Sequence, residues 1–67
     1  MAYVATISEN NNPYRIELYE SITGSFYMET YLNGSLSPVT IMCESATRSG
    51  AITEAHNHYK TIGTLNG

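Results

Sequence analysis

The stretch FYMETYLNGSLSPVTIMCE (residues 26–44) decides the fold, because it reads as two β-strands folded back around a tight turn. Asn33-Gly34 is the strongest local signal in the chain: a type I′ hairpin turn needs φ > 0 at both central positions, and Asn-Gly tolerates that best. Such a turn sets Leu32 opposite Ser35, Met28 opposite Val39 and Phe26 opposite Ile41, so that the apolar residues of both strands fall on one side. Residues 26–32 and about 37–44 are therefore read as strands three and four. Pro38 lacks an N–H and belongs on an edge strand or at a strand start.

Working outward, residues 2–8 (AYVATIS) and 14–20 (YRIELYE) also alternate with period two. In the first, Tyr3, Ala5 and Ile7 oppose Val4, Thr6 and Ser8. In the second, Ile16 and Leu18 oppose Arg15, Glu17 and Tyr19. The turn formers between them, Asn10 to Pro13, pair Ile7 with Ile16 and Ala5 with Leu18, and the apolar faces again agree. Gly24, between strands two and three, suits a turn with φ > 0. From about Ser49 the period becomes helical, with Ile52, Ala55, Tyr59 and Ile62 forming one stripe over residues 49–62. Thr47 or Ser49 caps its start, Gly63 fits the C′ position that ends it, and Thr64 to Gly67 are expected to fray. The predicted fold is α+β: a single domain, residues 1–67, in which a four-stranded antiparallel meander carries one C-terminal helix on one face.

Length bounds what such a domain can do for itself. A chain of 67 residues buries only about 60% of its unfolded surface, and domains this small often gain stability from disulfides, a metal or a partner subunit. Cys43 is the one cysteine, so no internal disulfide forms, and no Cys/His cluster is spaced for structural zinc. Self-association, as a homodimer, or a bound partner is the remaining source. The N-terminal Met-Ala-Tyr-Val-Ala-Thr-Ile has no basic region and no long apolar run, and reads as neither signal peptide nor membrane anchor. The expected compartment is a cytoplasm, that of the host if the chain is viral, and an unpaired thiol agrees with a reducing one. Three basic residues, Arg15, Arg48 and Lys60, stand against six glutamates, for a net charge of -3. That balance argues against nucleic acid, since each neutralised phosphate requires a cation, and suits approach to a basic surface.

The residues that could carry chemistry are few. His56 and His58, two apart on a helix, point about 160° away from each other and cannot share a metal. Glu54 and His58 share a face, but the spacing matches no zincin motif. Cys43 beside a histidine would be a nucleophile, whereas the alternation sets it with Val39 and Ile41 beneath the helix as a small buried hydrophobe. Glu17 and Glu29 meet across strands two and three, where exposed carboxylates are commonplace. No catalytic residue, cofactor or metal site is assigned.

The more informative feature is the sheet face opposite the helix, predicted to carry Val4, Thr6, Arg15, Glu17, Tyr19, Tyr27, Glu29, Tyr31, Thr40, Met42 and Glu44. Tyrosine offers large contact area at low entropy cost together with a hydroxyl that tolerates water, which is why interfaces favour it. Tyr19, Tyr27, Tyr31 and Met42, with Arg15, Glu17, Glu29 and Glu44, are the candidate interface residues. An aromatic sheet face also stacks single-stranded bases in RNA readers, but Glu17, Glu29 and Glu44 would repel the phosphates.

In its segment YRIELYESITGSFYMETYLNGSLSPVTIMCE followed by ATRSGAITEAHNHYKTIG, the chain resembles in pattern the small phage-encoded inhibitor proteins, anti-CRISPR proteins among them, that build a short antiparallel meander with an accompanying helix. The resemblance implies a non-enzymatic protein that blocks a partner by binding, with acidic and tyrosine side chains at the contact, and it transfers no site residues. The expectation is a small interaction or inhibitor protein. The alternative is a small-molecule-binding module whose pocket forms where the sheets of two copies meet, with His58 or Arg15 as the polar contact.

Overall fold

The computed structural model describes residues 2–32 and 37–66, with side chains as far as Ile62. Four strands, β1 (Ala2–Ser8), β2 (Tyr14–Glu20), β3 (Phe26–Leu32) and β4 (Val39–Met42), form one antiparallel sheet in the order β1-β2-β3-β4, and the helix α1 (Arg48–Asn66) follows. This is the α+β meander with a C-terminal helix that the alternating pattern predicts.

The first hairpin has the expected register, with Ile7 opposite Ile16 and Ala5 opposite Leu18. Asn11 takes a left-handed φ of 67°, a conformation asparagine accepts more readily than most residues. The Asn12 N–H donates to the Glu9 carbonyl, and the Asn12 side chain accepts from the Tyr14 N–H. At the next turn Gly24 adopts φ 87°, and the Ser21 backbone closes the loop through its N–H to the Ser25 carbonyl and its carbonyl to the Gly24 N–H.

Three expectations are corrected. The β3–β4 register runs through Met28↔Ile41 and Thr30↔Val39, two residues from the pairing that an Asn33-Gly34 turn dictates. A slip of two leaves every side chain on the same face, so hydrophobic alternation does not distinguish the two registers. The Asn33-Gly34 turn itself lies outside the described residues. Secondly, β4 runs Val39–Met42 rather than over residues 37–44. The Cys43 N–H still reaches the Phe26 carbonyl, but the Glu44 and Ser45 N–H groups turn away to the Glu54 carboxylate at 3.0–3.2 Å. Thirdly, α1 runs through Gly63 to Asn66. Glycine within a helix costs about 1 kcal/mol relative to alanine, which disfavours continuation without forbidding it.

Thr47 caps the helix: its Oγ1 accepts from the Gly50 N–H at 3.1 Å. Gly50 permits this close entry, because a Cβ there would stand 2.8 Å from the Ser45 Oγ and 2.9 Å from the Thr47 Oγ1. The helix lies chiefly over β2, with β1 and β3 on either side. Ala51 and Ala55 face the sheet and are fully buried, as are Ile16 and Leu18 beneath them. Two short side chains let the helix approach closely. Phe26, Met28, Ile7 and Tyr59 complete the core, with Cys43 packed against it from β4's end. β4 lies outside the footprint of the helix, so Val39, expected beneath it, stays 62% exposed.

Tyr59 fastens the two layers. Its phenol accepts from the Glu9 N–H and donates to the Tyr14 carbonyl, both at 3.0 Å, so one buried side chain satisfies both ends of the first hairpin. Removing only the hydroxyl takes the partner from two part-buried backbone groups, at about 1–3 kcal/mol. Tyr59→Phe is expected to lower the melting temperature by roughly 10 °C, measured by thermal circular dichroism.

Candidate functional site

The sheet face away from α1 is built in cross-strand rows. The first row spans all four strands: Tyr3 pairs with Tyr19, Tyr19 with Tyr27, and Tyr27 with Met42. Its rings interact along the row, Tyr3 and Tyr19 edge to face with centroids 6.0 Å apart, Tyr19 and Tyr27 stacked at 5.5 Å. Such geometries are those that aromatic quadrupoles favour. The second row is Thr6, Glu17, Glu29 and Thr40, and the third sets Arg15 opposite Tyr31.

Tyr3 was expected beneath the helix and Val4 on this face, and the structure exchanges them. A β-bulge between Tyr3 and Ala5 leaves Val4 without a partner, so the alternation of β1 reverses across it. Val4 consequently packs against Leu18, Phe26 and Ala51 beneath the helix, while Tyr3 joins Tyr19 in the open and is 59% exposed. The signal was present only as an oddity, a valine assigned to a solvent face. Glu44, also expected here, lies in the β4–α1 connection, exposed and off the sheet. The other expected residues, Arg15, Glu17, Tyr19, Tyr27, Glu29, Tyr31 and Met42, do share the face.

Their side chains form a linked polar network. Arg15 donates its Nε–H to the Glu17 carboxylate at 3.0 Å, and its guanidinium lies 4.2 Å from the centroid of the Tyr31 ring. Tyr19 donates to the other Glu17 oxygen at 2.5 Å, and Tyr31 donates to Glu29 at 3.2 Å. The Tyr19 hydroxyl and the Arg15 guanidinium hold the Glu17 carboxyl below its usual range. The same bond pushes Tyr19 up to about 12, because a phenolate there would face the carboxylate that now accepts its proton. Desolvation, then the nearby Glu29 carboxylate, raises Tyr31 as well. Glu17 is thus held ionised with a donor on each oxygen, the arrangement of a structural anion rather than of a general acid.

The remaining candidates stay apart from this face. Burial, and then Glu54, raise the Cys43 thiol, which keeps it protonated and a poor nucleophile. His56 is exposed and His58 half-buried on α1. Among the described residues no three His, Cys, Asp or Glu side chains converge as a metal site, and no helix is long and apolar enough to cross a membrane. An open depression of about 530 Å³ lies beside the first turns of α1, lined by Glu44, Ser45, Gly50, Thr53, Glu54 and Asn57. Neither Arg15 nor His58 lines it. Comparison with protein-family models, with curated proteins and with solved structures finds no match to this chain.

The network has a pH signature. Tyr19, with its folded pKa raised, contributes stability that is complete below the ordinary value of 10.0 and is lost as pH rises toward about 12. Glu17, with its pKa lowered, contributes stability that is present above its ordinary 4.5 and is lost as pH falls below it. Phenolate absorbance is expected to show Tyr19 ionising well above the ordinary phenol value of 10.0, and Glu17→Gln to bring that late transition back toward 10.

Proposed function

We propose that this is a non-enzymatic binding protein whose contact surface is the open sheet face, centred on Tyr19, Tyr27, Tyr31 and Met42 and extended by Tyr3. One observation carries the reading: a row of three tyrosines and a methionine crosses all four strands, and no described element of the chain covers it. Met42 at 59% exposed and Tyr3 likewise present apolar surface to solvent, on a sheet already rigid from pairing on both sides of β2 and β3. Rigid aromatic anchors in fixed positions lose little entropy on binding, which is the property of interface hot spots.

The pattern resemblance to phage-encoded inhibitors supports the same direction: a protein that blocks a partner in the host cytoplasm by occupying its surface. The occupant is a protein. A second copy is favoured by the thinness of a core resting on one helix, a different chain by the acidic charge of the molecule.

A photo-crosslinking amino acid at position 27 tests the assignment against one at Lys60 on the helix. Capture of a defined protein, or of a second copy, from position 27 alone is expected, and Tyr27→Ala is expected to weaken the captured interaction by roughly 30-fold, as for a hot-spot residue. Equal capture from both positions, or capture from the helix alone, contradicts it.

A further inference from the structure

At the centre of the open face stands not an aromatic ring but a pair of glutamates. Glu17 and Glu29 are directly opposite each other on the two inner strands, with the Tyr19–Tyr27 stack on one side and Tyr31 on the other. Like charges directly opposite on adjacent strands are destabilising, and Arg15 is the only basic side chain on the sheet, since Arg48 and Lys60 lie in α1. Arg15 bonds to Glu17. Glu29 receives a neutral hydroxyl from Tyr31.

The position of this pair bears on which occupant fits. A two-fold interface is self-complementary, so the centre of the patch meets its own copy. Two chains pairing face to face and centred on this surface would bring four carboxylates together with two arginines, on molecules that already carry -3 each. The face is also small. Three strands of seven residues and one of four, about 4.8 Å apart and about 3.3 Å per residue, outline roughly 400 Å² in projection. Affinity on such a footprint must come from directional contacts.

The molecule displays one such contact on itself. Arg15 stacks on Tyr31 while bonding to Glu17, a guanidinium read by a ring and a carboxylate together. Tyr27 and Glu29 set a second ring and carboxylate two residues apart on β3. Resting on the assignment of this face as the contact surface, we infer that its occupant is a basic segment of a different protein, which inserts an arginine or lysine side chain at Glu29 between the rings of Tyr27 and Tyr31. The cation completes the charge balance of the central row, and the flanking rings supply cation–π attraction and exclude water.

A tetra-arginine peptide and a tetra-glutamate peptide, each titrated into the isotopically labelled full chain and followed by amide chemical shifts, test this. Saturable shifts at Glu17, Tyr27, Glu29 and Tyr31 with tetra-arginine alone are expected, about tenfold weaker for Glu29→Gln and stronger for Arg15→Gln, which removes the internal competitor. Shifts confined to the glutamates of the β4–α1 connection and helix, or undiminished by Glu29→Gln, overturn it. Sedimentation separates the two levels of the argument. A dimer abolished by Tyr27→Ala keeps the face as a contact surface but overturns its basic occupant, whereas a monomer whose position-27 crosslinks capture nothing removes the face itself.

Discussion

One helix cannot cover a four-stranded sheet, and the rest of the molecule is arranged around that shortage. A helix about 10 Å across spans two to three strands at 4.8 Å spacing. Here it settles over β2 and its neighbours, brought close by Ala51 and Ala55 and fastened at the first hairpin by the Tyr59 hydroxyl. Burial is therefore concentrated in Ile16, Leu18 and Met28. The flank of β4 and the entire reverse face receive no layer from the described chain.

The bulge at Val4 shows how the sequence is partitioned under that constraint. Without it, β1 would turn a tyrosine toward the helix and a valine toward water. With it, Val4 fills the core beside Leu18 and Phe26, and Tyr3 extends the aromatic row by one strand. A single unpaired residue thus improves the packed face and the open face together. Four of the six tyrosines stand on the open side, and the two that do not, Tyr14 and Tyr59, are tied to the hairpin contact.

Much of this was legible in the sequence because side-chain parity is a strong constraint: strands β1, β2 and β3, the first register from Ala5 to Ser8, and the placement of Arg15, Glu17, Tyr19, Tyr27, Glu29, Tyr31 and Met42 on the open face follow from alternation. What escaped has specific causes. A two-residue register slip preserves parity, so Met28↔Ile41 was not distinguishable from Met28↔Val39. A bulge breaks parity, and its one mark in the sequence is a valine, Val4, that strict alternation assigns to a solvent face. Glu44 leaves the sheet with its N–H bonded to the carboxylate of Glu54, ten residues later, a tertiary contact that local pattern does not encode.

The chemistry of the open face follows from the same exposure. Glu17 is kept ionised by Tyr19 and Arg15, and these bonds tie side chains together on a solvent surface. The result is a preordered patch of rings about a pair of carboxylates. Its availability is the central claim, and the most direct measurement is solvent paramagnetic broadening of the assigned tyrosine ring resonances by a neutral gadolinium chelate at a protein concentration where the chain is monomeric. Strong broadening of Tyr3, Tyr19, Tyr27 and Tyr31, with Tyr59 and Phe26 spared, is the expected result; rings of Tyr19 and Tyr27 as well protected as Phe26 would contradict it.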